Sequence, residues 1–290
     1  MRHLPLAIPF KNVHTSKHPH VHTYPQPPSQ SLIETMIDII GIEKSFGRLR
    51  VLRGLDLCIE RGTVTAIVGP NASGKTTLIK TILGLIRPDG GRIVFDGETL
   101  NGSWNYRQRI GYMPQLARFP DNLSAREVIA MLKDLRGNPD DLDEDLLTAF
   151  NLDAELGKPL RTLSGGTRQK ISAVVAFLFR PDVLILDEPT AGLDPVASSI
   201  LKDKILRARD AGTTFILTSH IMSEIEELAG NIAFLLDGTV RFAGSTTTIK
   251  ATTGQPRLER AIAQLLTMEK GTLGTPSTNG HTKTPVPVEA

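Results

Sequence analysis

The segment Gly69-Pro70-Asn71-Ala72-Ser73-Gly74-Lys75-Thr76 matches the pattern G-x-x-x-x-G-K followed by Ser or Thr without a gap, and nothing else in the chain constrains the fold as strongly. Its context agrees. Thr63 to Val68 is a short apolar, β-branched run that suits a buried strand, and Thr76 to Leu85 has the pattern of a helix. A strand feeding a glycine-rich loop and then a helix aims backbone N–H groups and a helix N-terminus at one point in space. That arrangement binds phosphate. Lys75 is then expected to neutralise β- and γ-phosphate charge, Thr76 to ligate Mg²⁺, and Thr77 to close the loop.

Two further segments carry chemistry. Val183-Leu184-Ile185-Leu186 reads as a buried strand delivering Asp187 and Glu188 at its end, one carboxylate for a metal and one to polarise water. Alone, such a strand end is ordinary; with the phosphate loop it is the expected second half of an NTP site. Leu163-Ser164-Gly165-Gly166-Thr167-Arg168-Gln169-Lys170 places a capping serine and two glycines before a helix, leaving its first N–H groups uncovered as a second anion site.

The rest of the chain frames these segments. Residues 1 to about 35 are rich in Pro, His, Ser and Gln, lack the roughly 7–15-residue apolar core of a secretory signal, and read as a disordered tail; Met36 could be the biological start. The patterned region runs from 36 to 245, with a short helical extension over 246–269 and a second disordered tail over 270–290. Between Asp121 and Leu160 acidic residues alternate with Leu, Ile and Ala at helical spacing, which predicts a mostly helical insertion in an α/β domain. Asn231 to Leu236 and Thr239 to Phe242 read as a hairpin about Asp237-Gly238. A net charge of +2 gives no reason to expect a nucleic-acid partner. No apolar stretch approaches the roughly 18–20 residues that span a bilayer, so a soluble protein is expected, its membrane role supplied by a partner. Cys58, the sole cysteine, lies in the apolar run Leu55, Leu57, Ile59 and is expected to be a buried packing residue.

With these motifs in this order, residues 37–243 closely resemble the nucleotide-binding subunits of ATP-binding cassette (ABC) transporters. Leu163 to Lys170 looks like the ABC signature, with Thr167 where the family commonly has Gln. Gln115 matches the Q-loop glutamine that senses Mg²⁺, and Ala191-Gly192-Leu193-Asp194 the D-loop. His220 matches the switch histidine at the γ-phosphate, and Phe46 sits where an aromatic stacks on adenine. Each taken singly would be an ordinary loop, strand-end or core residue. The resemblance implies a P-loop NTPase α/β core with an N-terminal antiparallel β subdomain and a helical subdomain.

The resemblance further implies an ATPase using ATP and Mg²⁺. Two copies, or this chain and a paralogous ATPase subunit, would meet head to tail, Ser164, Gly165 and Gly166 of one closing on the Lys75 loop of the other. Glu188 would activate water; Lys75, Gln115 and His220 would act beside it. The pair would sit on the cytoplasmic face of the plasma membrane, bound to an integral membrane permease whose coupling helix enters the 121–160 insertion. Thr190 to Pro195 resembles the form found in drug, polysaccharide and copper-linked exporter ATPases, including those that support nitrous oxide reductase maturation. His14, His18, His20 and His22 could bind copper or nickel, or simply belong to a flexible extension. The competing reading is a soluble ABC ATPase of DNA repair or translation. Those usually carry two cassettes or a long coiled-coil arm, and only 88 positions separate Lys75 from Leu163 here.

Overall fold

The computed structural model describes residues 34–264; the expectations for the tails, including the histidines at 14–22, lie outside them. Two sheets organise the described chain. The first is antiparallel, in the order β2 (Leu49–Glu60), β1 (Thr35–Phe46), β4 (Gly90–Phe95), β5 (Glu98–Thr99). The second has the order β10 (Thr239–Ser245), β9 (Asn231–Leu236), β3 (Val64–Val68), β8 (Thr214–Thr218), β7 (Val183–Asp187), β6 (Ile110–Met113). Its strands run parallel except for the β9–β10 hairpin. This is the mixed α/β architecture anticipated above.

The parallel strands are buried on both faces, which explains their continuous apolar runs. Alternation still assigns the faces. Val64, Ala66, Val68, Leu184, Leu186, Phe215 and Leu217 join one core, with helices α4 (Gly165–Phe177) and α5 (Pro195–Asp210). Ile67, Val183, Ile185 and Ile216 point the other way, into a second core with β1, β2 and α1 (Lys75–Ile82). The phosphate-loop helix is therefore wedged between the two sheets, its Leu78, Ile79 and Ile82 fully buried.

Two local expectations differ from the structure. The 121–160 region holds helices α2 (Ala125–Leu135) and α3 (Asp145–Ala149), but turns fill the space between them. Gly137 and Asn138 take φ of 75° and 53°, and Pro139 follows, so the helical pattern cannot continue. α2 itself starts on a full capping box, Ser124 with Glu127. Cys58 is exposed, not buried. Leu55, Leu57 and Ile59 face the core, so the period of two turns Cys58 outward, where its Sγ meets Thr35 Oγ1 at 3.4 Å. Beyond β10, α7 (Thr246–Thr253) is capped by Ser245 and ended by Gly254 at φ 65°, and a last helical stretch covers 258–264.

Candidate active site

The loop 69–74 leaves β3 and enters α1 with no side chain capping the helix. Its N-terminal N–H groups therefore remain available to an anion. Gly69 is required by close approach, since a Cβ there would stand 2.2 Å from Leu235 O, and Gly74 by its φ of 109°, which a side chain would strain. Lys75 Nζ folds back over the loop and donates to the carbonyls of Gly69 (2.7 Å) and Pro70 (3.0 Å). Burial pulls the Lys75 ammonium below the usual lysine range, and the charges of Glu188 and Asp187 resist that. Ser73 Oγ is buried in the same loop without a hydrogen-bond partner among the described residues.

The ends of β7 and β8 complete the cleft. Thr218 Oγ1 donates to Asp187 Oδ1, and the Glu188 N–H donates to both Thr218 O (3.1 Å) and Thr218 Oγ1 (3.2 Å). Those two bonds hold Glu188 at φ 51°, a left-handed conformation costly for a residue with a Cβ. His220 approaches Glu188 twice, its N–H to Oε2 at 3.2 Å and its Nε2 to Oε1 at 3.3 Å. The Glu188 side chain is 12% exposed and the His220 ring 57%, so the carboxylate is sheltered and the imidazole lies at the mouth. A shielded carboxylate beside an imidazole can orient water and exchange a proton.

The resulting cleft, about 320 Å³, is lined by Asn71, Ala72, Ser73, Gly74, Lys75, Thr76 and Thr77, by Gln115 at the end of the β6 segment, and by Asp187, Glu188 and His220. Most of the anticipated site residues thus converge on one place. Thr76, Gln115 and Asp187 offer hydroxyl, amide and carboxylate oxygens there, the hard donor set that suits a magnesium ion. Leu49 and Val51 form an apolar wall that the sequence did not flag. Phe46, 49% exposed, pairs with Leu49 across the β1–β2 turn, and Lys44 Nζ stands 5.5 Å from its ring centre.

Ser164, Gly165, Gly166 and Asp194 stand outside this cleft. Ser164 caps α4, its Oγ accepting from Thr167 N at 3.0 Å and meeting Thr167 Oγ1 at 2.8 Å. A Cβ on Gly166 would approach Gly192 O to 2.9 Å, so the first turn of α4 packs directly on the 190–194 loop. Lys170 Nζ ties the same two elements through Asp194 Oδ2 at 2.8 Å, while Asp194 Oδ1 caps α5 through Ala197 N. Ser164, Gly165 and Asp194 are all exposed.

A family model described as "ABC transporter" matches residues 52–191. The daunorubicin resistance ATP-binding protein of Streptomyces coeruleorubidus is 34% identical over 242 residues, covering 80% of this chain and 75% of that protein. Among solved structures, an ATP-binding subunit of an ABC transporter superposes with a TM-score of 0.75 at 28% identity, over 80% of this chain and all of the other. A dimeric ATP-binding cassette in a post-hydrolysis state with ADP and phosphate matches at TM-score 0.65 and 22% identity, over 72% of this chain and 98% of the other, which speaks for the fold alone. The glycine loop, the paired carboxylates, the two-sheet architecture and these likenesses agree: the chain belongs to the ABC transporter family, as an ATP-binding, ATP-hydrolysing subunit.

Proposed function

We propose that the chain hydrolyses ATP at composite sites between two ATPase subunits set head to tail and so drives a separate membrane permease. The observation that carries this reading is the Glu188–His220 pair at the mouth of the cleft that holds the Lys75 loop. In this reading residues 69–77 and the α1 N-terminus hold the phosphates, and Phe46, with Leu49 and Val51, meets the adenine. Glu188 orients water and takes its proton as the oxygen bonds to the γ-phosphorus, while the bond from that phosphorus to the β–γ bridging oxygen breaks and ADP leaves with the electron pair. Lys75 and His220 stabilise charge on the transferred phosphoryl group. Thr76, Gln115 and Asp187 would hold Mg²⁺, which when bound neutralises charge on the phosphate oxygens.

The second subunit enters because Ser164, Gly165 and Asp194 are exposed, and Gly166 half-buried beside them, outside the cleft of their own chain. In this reading Ser164, Gly165 and Gly166 face the γ-phosphate held by a partner, either a second copy or a paralogous ATPase, and Asp194 stands beside that junction, held by Lys170 and Ala197. No helix among the described residues is long and apolar enough to cross a membrane, so passage through the bilayer falls to another chain. The 121–160 insertion would receive that permease, placing the pair on the cytoplasmic face of the plasma membrane. Export is the direction favoured, since the relative's name speaks of drug resistance. The copper-linked alternative rests on the resemblance over 190–195 and on the histidines at 14–22, which lie outside the described residues, and the relatives' names do not speak for it.

Glu188→Gln tests the reading. Turnover is expected to vanish while ATP binding persists; near-normal turnover would remove Glu188 from its role. Co-purification with a multi-span membrane protein separates this reading from a soluble ABC ATPase.

A further inference from the structure

Glu224, in the helix α6 (Met222–Leu228), touches neither the phosphate loop nor the cleft, yet three bonds converge on it. Thr190 Oγ1 donates to its carboxylate, 2.7 Å from Oε1 and 2.8 Å from Oε2. Ser219 Oγ donates to Oε2 at 3.1 Å, and the same Ser219 oxygen accepts from Ile221 N at 3.0 Å. Thr190 and Ser219 are buried, 9% and 4% exposed, so without Glu224 two sheltered hydroxyls would lose their acceptor.

The places of those hydroxyls give the contact its meaning. Thr190 is two residues after Glu188, in a turn closed by Ala191 N to Glu188 O at 3.1 Å. Ser219 immediately precedes His220. One carboxylate therefore joins the backbone leaving Glu188 to the backbone entering His220. Thr218 holds Glu188 itself at φ 51°, and Glu224 secures the turn that follows it. We infer that Glu224 is a positioning residue for hydrolysis, a strut that holds Glu188 and His220 in register through Thr190 and Ser219. This rests on the roles proposed above for that pair.

The strut acts on the water-activating side of the cleft and leaves the Lys75 loop alone, so its loss should separate catalysis from binding. In the full chain, Glu224→Ala is expected to lower kcat at least about tenfold, since small misplacement of catalytic groups is costly, while KM for ATP and nucleotide affinity stay within about twofold. Glu224→Gln keeps an acceptor oxygen and should recover kcat to within about threefold of the parent. The double variant Thr190→Val/Ser219→Ala should reproduce the Glu224→Ala loss and show little further loss when combined with it. Those two variants decide the matter if Glu224→Ala fails to fold. Normal kcat in Glu224→Ala, or in the double variant where Glu224→Ala does not fold, overturns the strut, and so does a kcat loss matched by lost ATP affinity. Glu188→Gln run alongside separates the two readings: if it is inactive while Glu224→Ala and the double variant are normal, only the strut fails, and if it turns over normally the catalytic assignment fails first.

Discussion

Gly238 donates its backbone N–H to the carbonyl of Ser73 at 3.1 Å, so the tip of the β9–β10 hairpin rests on the phosphate loop. On its other side Gly238 O accepts from Arg53 N at 3.0 Å, and the hairpin is thereby pinned between the loop and β2. Only glycine fits. Its φ is 78°, and a Cβ would lie 2.2 Å from Val51 O. Gly238→Ala must move either the hairpin or β2, which carries Val51 of the cleft wall. The left-handed conformation alone costs about 1–2 kcal/mol, and the clash adds to it. Thermal melting should show a clear drop, and titration with a fluorescent ATP analogue a weaker affinity; a variant unchanged in both would disprove the clamp.

A second relationship ties the helical insertion to the core. Lys204 of α5, 6% exposed, places Nζ 2.6 Å from Asp143 Oδ2 and 2.8 Å from Asp145 Oδ2, at the start of α3. The Asp143 side chain is 11% exposed and that of Asp145 69%, so the two arms differ in worth. Lys204→Met leaves Asp143 sheltered without its cation and should cost about 3 kcal/mol. Asp145→Asn loses a screened contact and should cost less than about 1 kcal/mol. Lys204 holds the Asp145 carboxyl below the usual carboxylate range. Its contribution is therefore complete above the ordinary aspartate pKa and fades as pH falls through the lower, folded value. Urea unfolding should thus find Asp145→Asn nearest the parent in acid below about pH 4, and furthest from it at neutrality. Equal costs for the two variants would remove the distinction.

The parts of this site legible in the sequence are those whose chemistry is local. The loop 69–76 and the Asp187-Glu188 pair carry their meaning in adjacent residues, and Asp237-Gly238 marks a hairpin by turn chemistry alone. What escaped depends on distant contact. Leu49 and Val51 are unremarkable strand residues until β2 is laid beside the loop, and Thr218 becomes special only because β8 pairs with β7 in a register that matches Asp187 with Thr218. The burial of Lys204 likewise needs α3 to arrive from about 60 residues away. Cys58 is a different kind of miss. The alternation of Leu55, Leu57 and Ile59 already points it outward, and its apolar neighbours disguise that.

The separation of Ser164 from the cleft makes the last prediction. The phosphate loop, Glu188 and His220 share one cavity within the chain, whereas Ser164 and Asp194 are exposed elsewhere and locked to each other's elements through Lys170. In the composite-site reading a single chain thus holds the loop that seats ATP but only one side of the γ-phosphate cage. The isolated monomer should bind ATP and hydrolyse it poorly, with specific activity rising as protein concentration rises or as a permease is added. Mixing should sharpen the point. Glu188→Gln chains, inactive alone, still carry an intact Ser164 face, and Ser164→Ala chains an intact Glu188 cleft; together they should regain part of the activity that each lacks. Specific activity independent of concentration in proven monomers, with no recovery on mixing, would mean that one chain suffices and the composite site is wrong.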